Sequence, residues 1–301
     1  MKPQLSVVIP TYNRLHLLKR TLASLLTQDI APESFEVLVV SDGSTDDTHD
    51  YLNTFCQKHP FFKWTMQQNQ GPSSARNFGL SQVKSPLIAF TDDDCLADPG
   101  WIQSILDMFN TQPNILGMEG KTVTIPEETT PLTHQLEGSG QCYATANVAY
   151  RREALQEVAG FDPAFFYGNE DVDVAWRVME QGPVVYNEHM VIIHPPLPRT
   201  LYKFIRKPET YGVEILLYKK HPERYLQQKH HKPLYVIYSS IGIRYLPQEL
   251  GQCMPLVLKR PVLAFKSIIG LLMQRVWLIL LVPRFLSMYF GIIKRNQTYV
   301  S

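Results

Sequence analysis

Leu5–Pro10 (LSVVIP), Phe35–Val40 (FEVLVV) and Leu87–Phe90 (LIAF) are short, nearly continuous apolar runs. Runs of this kind suit strands buried on both faces of a parallel sheet. Between the first two, Leu15, Leu18, Leu22, Leu25 and Leu26 recur at helical spacing, predicting a helix over Arg14–Gln28. Ser44 and Asp47 offer caps for a second helix reaching Phe55. A further strand is expected over Lys63–Gln67, and a helix after Gly71-Pro72, where proline is accommodated in the first turn. The order β-α-β-α-β-α-β implies an α/β fold, an open and mostly parallel twisted sheet flanked by helices and joined by right-handed crossovers.

Ligands of such sheets bind beyond the carboxyl ends of the strands. Three of these ends carry polar clusters: Pro10-Thr11-Tyr12-Asn13, Ser41-Asp42-Gly43 and Thr91-Asp92-Asp93-Asp94. A dinucleotide-binding dehydrogenase would need a GxGxxG turn after the first strand, and Pro10-Thr11-Tyr12-Asn13 stands there instead. Three consecutive carboxylates repel one another unless something cationic joins them. In extended backbone Asp92 and Asp94 project similarly, and hard oxygen ligands suit Mg2+ or Mn2+, which also grip a diphosphate. Arg76 lies in the first turn of its predicted helix, where a cation gains nothing from the helix dipole, so it points to an anionic ligand.

Beyond this half, a strand is expected over Gln141–Tyr150 and a helix over Arg152–Ala159. A helix follows Gly168-Asn169-Glu170-Asp171, short strands are expected at Val184–Tyr186 and Val191–Ile193, and Pro126–Pro131 is expected as a loop.

Several segments then form a pattern. SVVIPTYNR (6–14), VVSDGSTDDT (39–48), GPSSARNFGL (71–80), AFTDDDC (89–95), ANVAYRREALQEVAGFD (146–162) and GNEDVDVAWRV (168–178) resemble family 2 glycosyltransferases of the GT-A fold. The resemblance implies an inverting transferase that uses a nucleotide-sugar donor, a UDP-sugar by preference, with Mn2+ or Mg2+ as cofactor. It places Pro10, Thr11, Tyr12 and Arg14 around base and ribose, and Asp42 as acceptor for a base N–H. Arg76 is placed near the nucleotide. Asp92 is assigned to ribose or sugar and shares the metal with Asp94, with Asp93 between them. Asp171 is implied as general base, with Glu170 as the alternative, and His194 as a third metal ligand. Asn147 is expected at donor sugar or acceptor. Arg177, on a different helix face from Asp171, is expected either at the diphosphate or in an ion pair.

Net charge is +1, so no global field favours nucleic acid, and none is expected as a partner. Four scattered cysteines without a CxxC pair, and an N-terminus that enters a strand directly, point to a cytoplasmic catalytic region. The catalytic domain is expected over 1–215, with a nucleotide half (1–95) and an acceptor half (96–215). Residues 216–301 are expected to be helical and amphipathic. There, Lys259, Lys266, Ser267, Gly270 and Gln274 share one sector of a helical wheel, and Leu, Ile, Val and Trp277 fill the rest. Such a helix is expected to lie in a membrane interface with its polar stripe to the water, which suits a glycan or lipid-linked acceptor. The apolar tail is also suited to homodimer contacts. Two rival readings, a nucleotidyltransferase and a catalytically silent nucleotide-binding scaffold, are disfavoured. The first wants a glycine-rich loop after the first strand, the second a missing metal pair or base. A polyprenyl phosphate acceptor is a variant of the transferase reading.

Overall fold

The computed structural model describes residues 2–125, 129–130, 132–134, 138, 140–166, 168–244 and 246–291. Of the loop expected at 126–131, residues 126–128 and 131 lie outside these. The strands are β1 (Leu5–Thr11), β2 (Phe35–Ser41), β3 (Phe62–Met66), β4 (Leu87–Phe90), β5 (Leu96–Ala97), β6 (Gly117–Val123), β7 (Thr133–His134), β8 (Val148–Arg151), β9 (Val184–Ile193) and β10 (Leu197–Pro198). The first six helices are α1 (Leu15–Leu26), α2 (Thr48–Lys58), α3 (Pro72–Gln82), α4 (Trp101–Thr111), α5 (Arg152–Glu157) and α6 (Glu170–Met179). Seven more follow: α7 (Leu201–Arg206), α8 (Gly212–Lys220), α9 (Pro222–Lys229), α10 (Pro233–Tyr235), α11 (Leu246–Lys259), α12 (Pro261–Leu280) and α13 (Val282–Phe290).

The chain divides into two compact units. The first holds 1–128, 135–166 and 170–196, and the second holds 129–134, 167–169 and 197–301. In the first, eight strands form one mixed sheet in the order β3-β2-β1-β4-β8-β6-β9-β5. β3, β2, β1 and β4 are mutually parallel, as the apolar runs predicted. β8 enters antiparallel between β4 and β6, which turns the parallel half into a mixed sheet. Alternation along the strands explains two core layers. Val7, Ile9, Val37 and Val39 face Leu18, Leu22 and Trp101. Val8, Leu38 and Val40 face Ala75, Leu155 and Val178.

Two expectations change shape. The strand expected from Gln141 starts only at Val148. Gly140, Gln141 and Tyr143 adopt positive φ (118°, 66° and 51°), and left-handed backbone cannot continue a strand. The two short strands expected at 184–193 are one strand, β9, whose pairing with β6 slips between Gly120 and Lys121.

The second unit contains β7 paired antiparallel with β10, and the helices from α7 onward. Pro208 is the second residue of the 3-10 turn that follows α7, and Pro283 lies in the first turn of α13, so both prolines sit where one helix gives way to the next. α12 reverses the expected orientation. Ser267, Gly270 and Gln274 are buried against the unit, while Lys259 and Lys266 remain exposed. The cause is packing with α7. A Cβ on Gly270 would lie 2.8 Å from Leu201 Cδ1, and Gln274 Nε2 donates to the Phe204 carbonyl at 2.7 Å.

In the first unit, α3 lies so close to the sheet that a Cβ on Gly79 would collide with Val8 Cγ1 and come within 3.1 Å of Val40 Cγ2. Gly79→Ala is therefore expected to destabilise by about 1–3 kcal/mol. Urea unfolding followed by circular dichroism measures this.

Candidate active site

The site assembles at the carboxyl ends of β1, β2 and β4, where the open sheet leaves room for a ligand. Asn13 makes the first link. It adopts left-handed backbone (φ 53°), a conformation that asparagine tolerates. Its side-chain oxygen accepts from the Thr45 N–H at 2.7 Å, and its own N–H donates to Ser44 Oγ at 3.1 Å. The loops after β1 and β2 are thus stitched together. Asp42, buried at the end of β2, accepts from Gln67 Nε2 (2.7 Å) and from the Gln70 (2.9 Å) and Gly71 (2.8 Å) N–H groups. A carboxylate has about four acceptor positions, so Asp42 both fixes the β3–α3 loop and keeps capacity for one more donor. Pro10 is buried in β1, whereas Tyr12 stands open to solvent.

The acidic triplet is divided among three sets of partners. Asp93 is buried; it accepts from Thr11 Oγ1 at 2.7 Å and pairs with Arg14 Nη1 at 2.9 Å. Burial pushes its carboxyl up to about 7, against the opposing pull of Arg14 and Thr11. Asp94 pairs with Arg14 Nη2, and its Oδ1 lies 3.5 Å from His194 Nε2 at the end of β9. Asp92 pairs with Arg76 Nη2 at 2.7 Å. Arg14, expected at the nucleotide, is thus also the cation that holds two of the three aspartates.

Arg76 reaches from the second turn of α3 to the start of α6. Its Nη1 donates to Glu170 Oε1 at 3.1 Å, and its guanidinium lies 5.8 Å from the Phe161 ring centre. The anion that its position called for is supplied by this chain's own carboxylates. Glu170 Oε2 is buried and has no hydrogen-bond partner among the described residues. Next to it, Asp171 accepts from the Val172 N–H at 2.8 Å. Burial raises the Asp171 carboxyl well above its ordinary value and the Glu170 charge adds to this, while Val172 N–H and Arg76 hold it back.

Asp94, Cys95 and His194 offer ligand atoms within 4.8 Å of one another. The carboxylate and the imidazole suit a hard divalent cation. Burial, with Asp92 and Asp94 close by, pushes the Cys95 thiol well above its ordinary value, and soft sulfur matches a hard divalent cation less well than oxygen or imidazole does. Asp94 and His194 therefore fit a divalent metal, and Asp92 is turned towards Arg76.

Two expected residues belong to the framework. Arg177 pairs with Asp173 (2.6 Å) and donates to the Val158 and Gly160 carbonyls, which resolves its two options in favour of the ion pair. Asn147, expected at sugar or acceptor, is buried. It accepts from Trp101 Nε1 (2.8 Å) and donates to the Lys121 (3.0 Å) and Met190 (2.9 Å) carbonyls. A buried amide with both ends satisfied serves the sheet.

Sequence reasoning missed Glu119. From the middle of β6 its carboxylate accepts from the N–H groups of Gln141, Cys142 (3.1 Å) and Tyr143 (2.7 Å). It holds the left-handed loop before β8. A lone glutamate between glycines in a strand carries no pattern that would have flagged it.

The chain matches the family described as "Glycosyl transferase family 2" over residues 6–159 and "Glycosyl transferase family group 2" over 130–293. It belongs to glycosyl transferase family 2. Among curated relatives it is 48% identical over 106 residues to a validoxylamine A glucosyltransferase of Streptomyces hygroscopicus subsp. limoneus, covering 35% of this chain and 23% of that protein. Two solved structures share the fold. One is the mannosyltransferase PcManGT from Pyrobaculum calidifontis in complex with GDP-Man and Mn2+ (TM-score 0.62, 17% identity, 93% of this chain and 88% of that one). The other is S. aureus TarS 1-349 in complex with UDP (TM-score 0.58, 19% identity, 99% and 94%). The chain spans less than two thirds of the length of the curated relatives it matches.

Removing the Arg76 charge would strand two carboxylates. Arg76→Met is expected to destabilise by about 3–5 kcal/mol, the range for breaking a buried ion pair from one side, measured by denaturant unfolding. Asp171 acts in the opposite sense. With its folded-state value raised, its bound proton stabilises the fold below the ordinary carboxylate range, and that contribution is lost as pH rises through the raised value. Asp171→Asn should therefore melt above wild type at alkaline pH, with the gap closing towards acid.

Proposed function

We propose that this protein transfers a sugar from a nucleotide-diphosphate sugar, with UDP the preferred nucleotide, to an acceptor hydroxyl, inverting the anomeric centre. The observation that carries this reading is the bridge of Arg76 between Asp92 and Glu170, which joins a strand-end acidic triplet to a second carboxylate pair in one site. In this reading residues 1–215 carry catalysis, and the acceptor is a surface glycan or lipid-linked precursor at the cytoplasmic face.

Asp171 is the general base. Its raised carboxyl matches the task, since a base works best with a value near the working pH. It accepts the acceptor's proton as the hydroxyl oxygen attacks the anomeric carbon. Glu170, held by Arg76, sets a second carboxylate beside it, and that charge disfavours ionisation of Asp171. Pro10, Thr11 and Tyr12 flank the nucleotide, and Asp42 accepts a base N–H with its remaining capacity. Asp92 faces the donor sugar or ribose. Asp94 and His194 would hold Mn2+ or Mg2+, which when bound neutralises the diphosphate leaving group. The GDP-Man and Mn2+ of PcManGT and the UDP of TarS support a nucleotide-sugar site with metal in this fold.

Thermal melts with UDP, dTDP and GDP, each with and without Mn2+, test the donor assignment. One nucleotide at ~100 times its Kd should add about 2.7 kcal/mol of apparent stability, and Asp94→Asn should lose the metal-dependent part. No shift with any nucleotide would overturn the site, and a nucleotide shift without turnover on any acceptor would favour a silent scaffold. Asp171→Asn should bind donor normally and lose roughly 10²–10⁴-fold in kcat. In wild type kcat should rise with pH through the raised Asp171 value. An Asp171→Asn enzyme with full turnover would point to an acceptor that is already an anion, as a polyprenyl phosphate is.

A further inference from the structure

α12 is amphipathic, and it is packed the wrong way round for a helix meeting water. Ala264, Ser267, Gly270, Leu271, Gln274 and Leu278 form its buried face. On the opposite side Val262, Phe265, Leu272, Val276, Ile279 and Leu280 are 51–66% exposed. At 100° per residue these six fall within one sector of roughly 100°, centred opposite the buried face. Leu258, just before α12, is 94% exposed and Phe290, at the end of α13, is 68% exposed. Contiguous apolar surface of this kind marks an interaction site.

Charge identifies the occupant. Between Gly251 and Gly291 there is no aspartate or glutamate, while Lys259, Arg260, Lys266, Arg275 and Arg284 are all cations. Arg275 is paired with Glu249, and Lys259, Arg260 and Lys266 lie exposed at the amino end of the stripe. Arg260 and Lys266 also rim a shallow hollow of about 350 Å3 whose other lining residues are Pro261, Val262 and Leu263. A second copy docked on this face would bring like charges together with no acidic complement from the same segment. An anionic lipid surface complements both features, with acyl chains against the stripe and headgroups against the cations.

We propose that the exposed face of α12, with Leu258 beside it, docks the second unit onto an anionic bilayer surface. The helix lies along the interface and does not cross it. By length and composition Pro261–Leu280 is long and apolar enough to cross a membrane, but its other face is committed to α7, with Gln274 bonded to the Phe204 carbonyl. The docking inverts the orientation expected from the helical wheel: the small and polar stripe faces protein, and the apolar stripe faces lipid.

Flotation of the full chain with phosphatidylcholine vesicles, and with vesicles also containing phosphatidylglycerol, tests this. Wild type should float with the anionic vesicles and be released by high salt. Replacing Lys259, Arg260 and Lys266 by Gln should weaken partitioning on the order of 100-fold, at about fivefold per cation near the surface. Phe265→Glu with Ile279→Glu, both at exposed positions, should abolish it while leaving the melting temperature and any nucleotide-induced shift unchanged. That readout keeps failure here separate from failure of the donor site. Flotation with neither vesicle, or vesicle binding untouched by the two Glu substitutions, would overturn the proposal. A dimer in solution that those substitutions dissociate, without vesicle binding, would overturn it in favour of a second copy.

Discussion

A guanidinium with almost no access to water lies between two carboxylates: Arg76, with Asp92 at 2.7 Å and Glu170 at 3.1 Å. Desolvating a cation is costly unless it is fully paired, so this arrangement is tolerated only because both partners are held in place. α3 delivers the arginine, the end of β4 delivers Asp92 and the first turn of α6 delivers Glu170. The bridge therefore fixes the start of α6 relative to the sheet, and with it Asp171.

Charge balance around that bridge accounts for much of the chemistry. Asp92, Asp93, Asp94, Glu170 and Asp171 converge with Arg14 and Arg76, leaving an excess of negative charge. Two carboxyl groups respond by rising above their ordinary values, Asp93 and Asp171, both chiefly through burial. Asp93 is tied to Thr11 and Arg14 and serves to anchor the acidic turn on β1. Asp171 accepts from the Val172 N–H, and its raised carboxyl is the one the proposed mechanism uses for proton transfer. Residues next to one another in an acidic run thus acquire different duties from different partners.

Packing decides the behaviour of the second unit in the same way. The polar stripe of α12 is small as well as polar, and small residues let another helix approach closely. Gly270 admits Leu201 and Phe204, and Gln274 finds a carbonyl acceptor. Once that face is used for protein contacts, the apolar side chains on the opposite side of the helix, Val262, Phe265, Leu272, Val276, Ile279 and Leu280, stay outside.

The strands β1, β2 and β4, the helices α1 and α3 and the acidic strand end were legible in the sequence, because apolar runs, helical spacing and turn residues are local properties of the chain. The candidate set around Asp92, Asp94, Glu170 and Asp171 was legible through its motifs. Which partner each side chain takes was not. Arg76 and Glu170 are 94 positions apart, and Arg14 and Asp94 are 80 apart, so only the crossovers of the sheet bring them together. Asn147 was placed at sugar or acceptor by the resemblance, and Arg177 was left between the diphosphate and an ion pair; in the fold both are bonded to backbone carbonyls. Periodicity likewise showed that α12 has two unlike faces, but it carries no information about which face meets protein. That was decided by the shape of the surface offered by α7, a property of the folded unit alone.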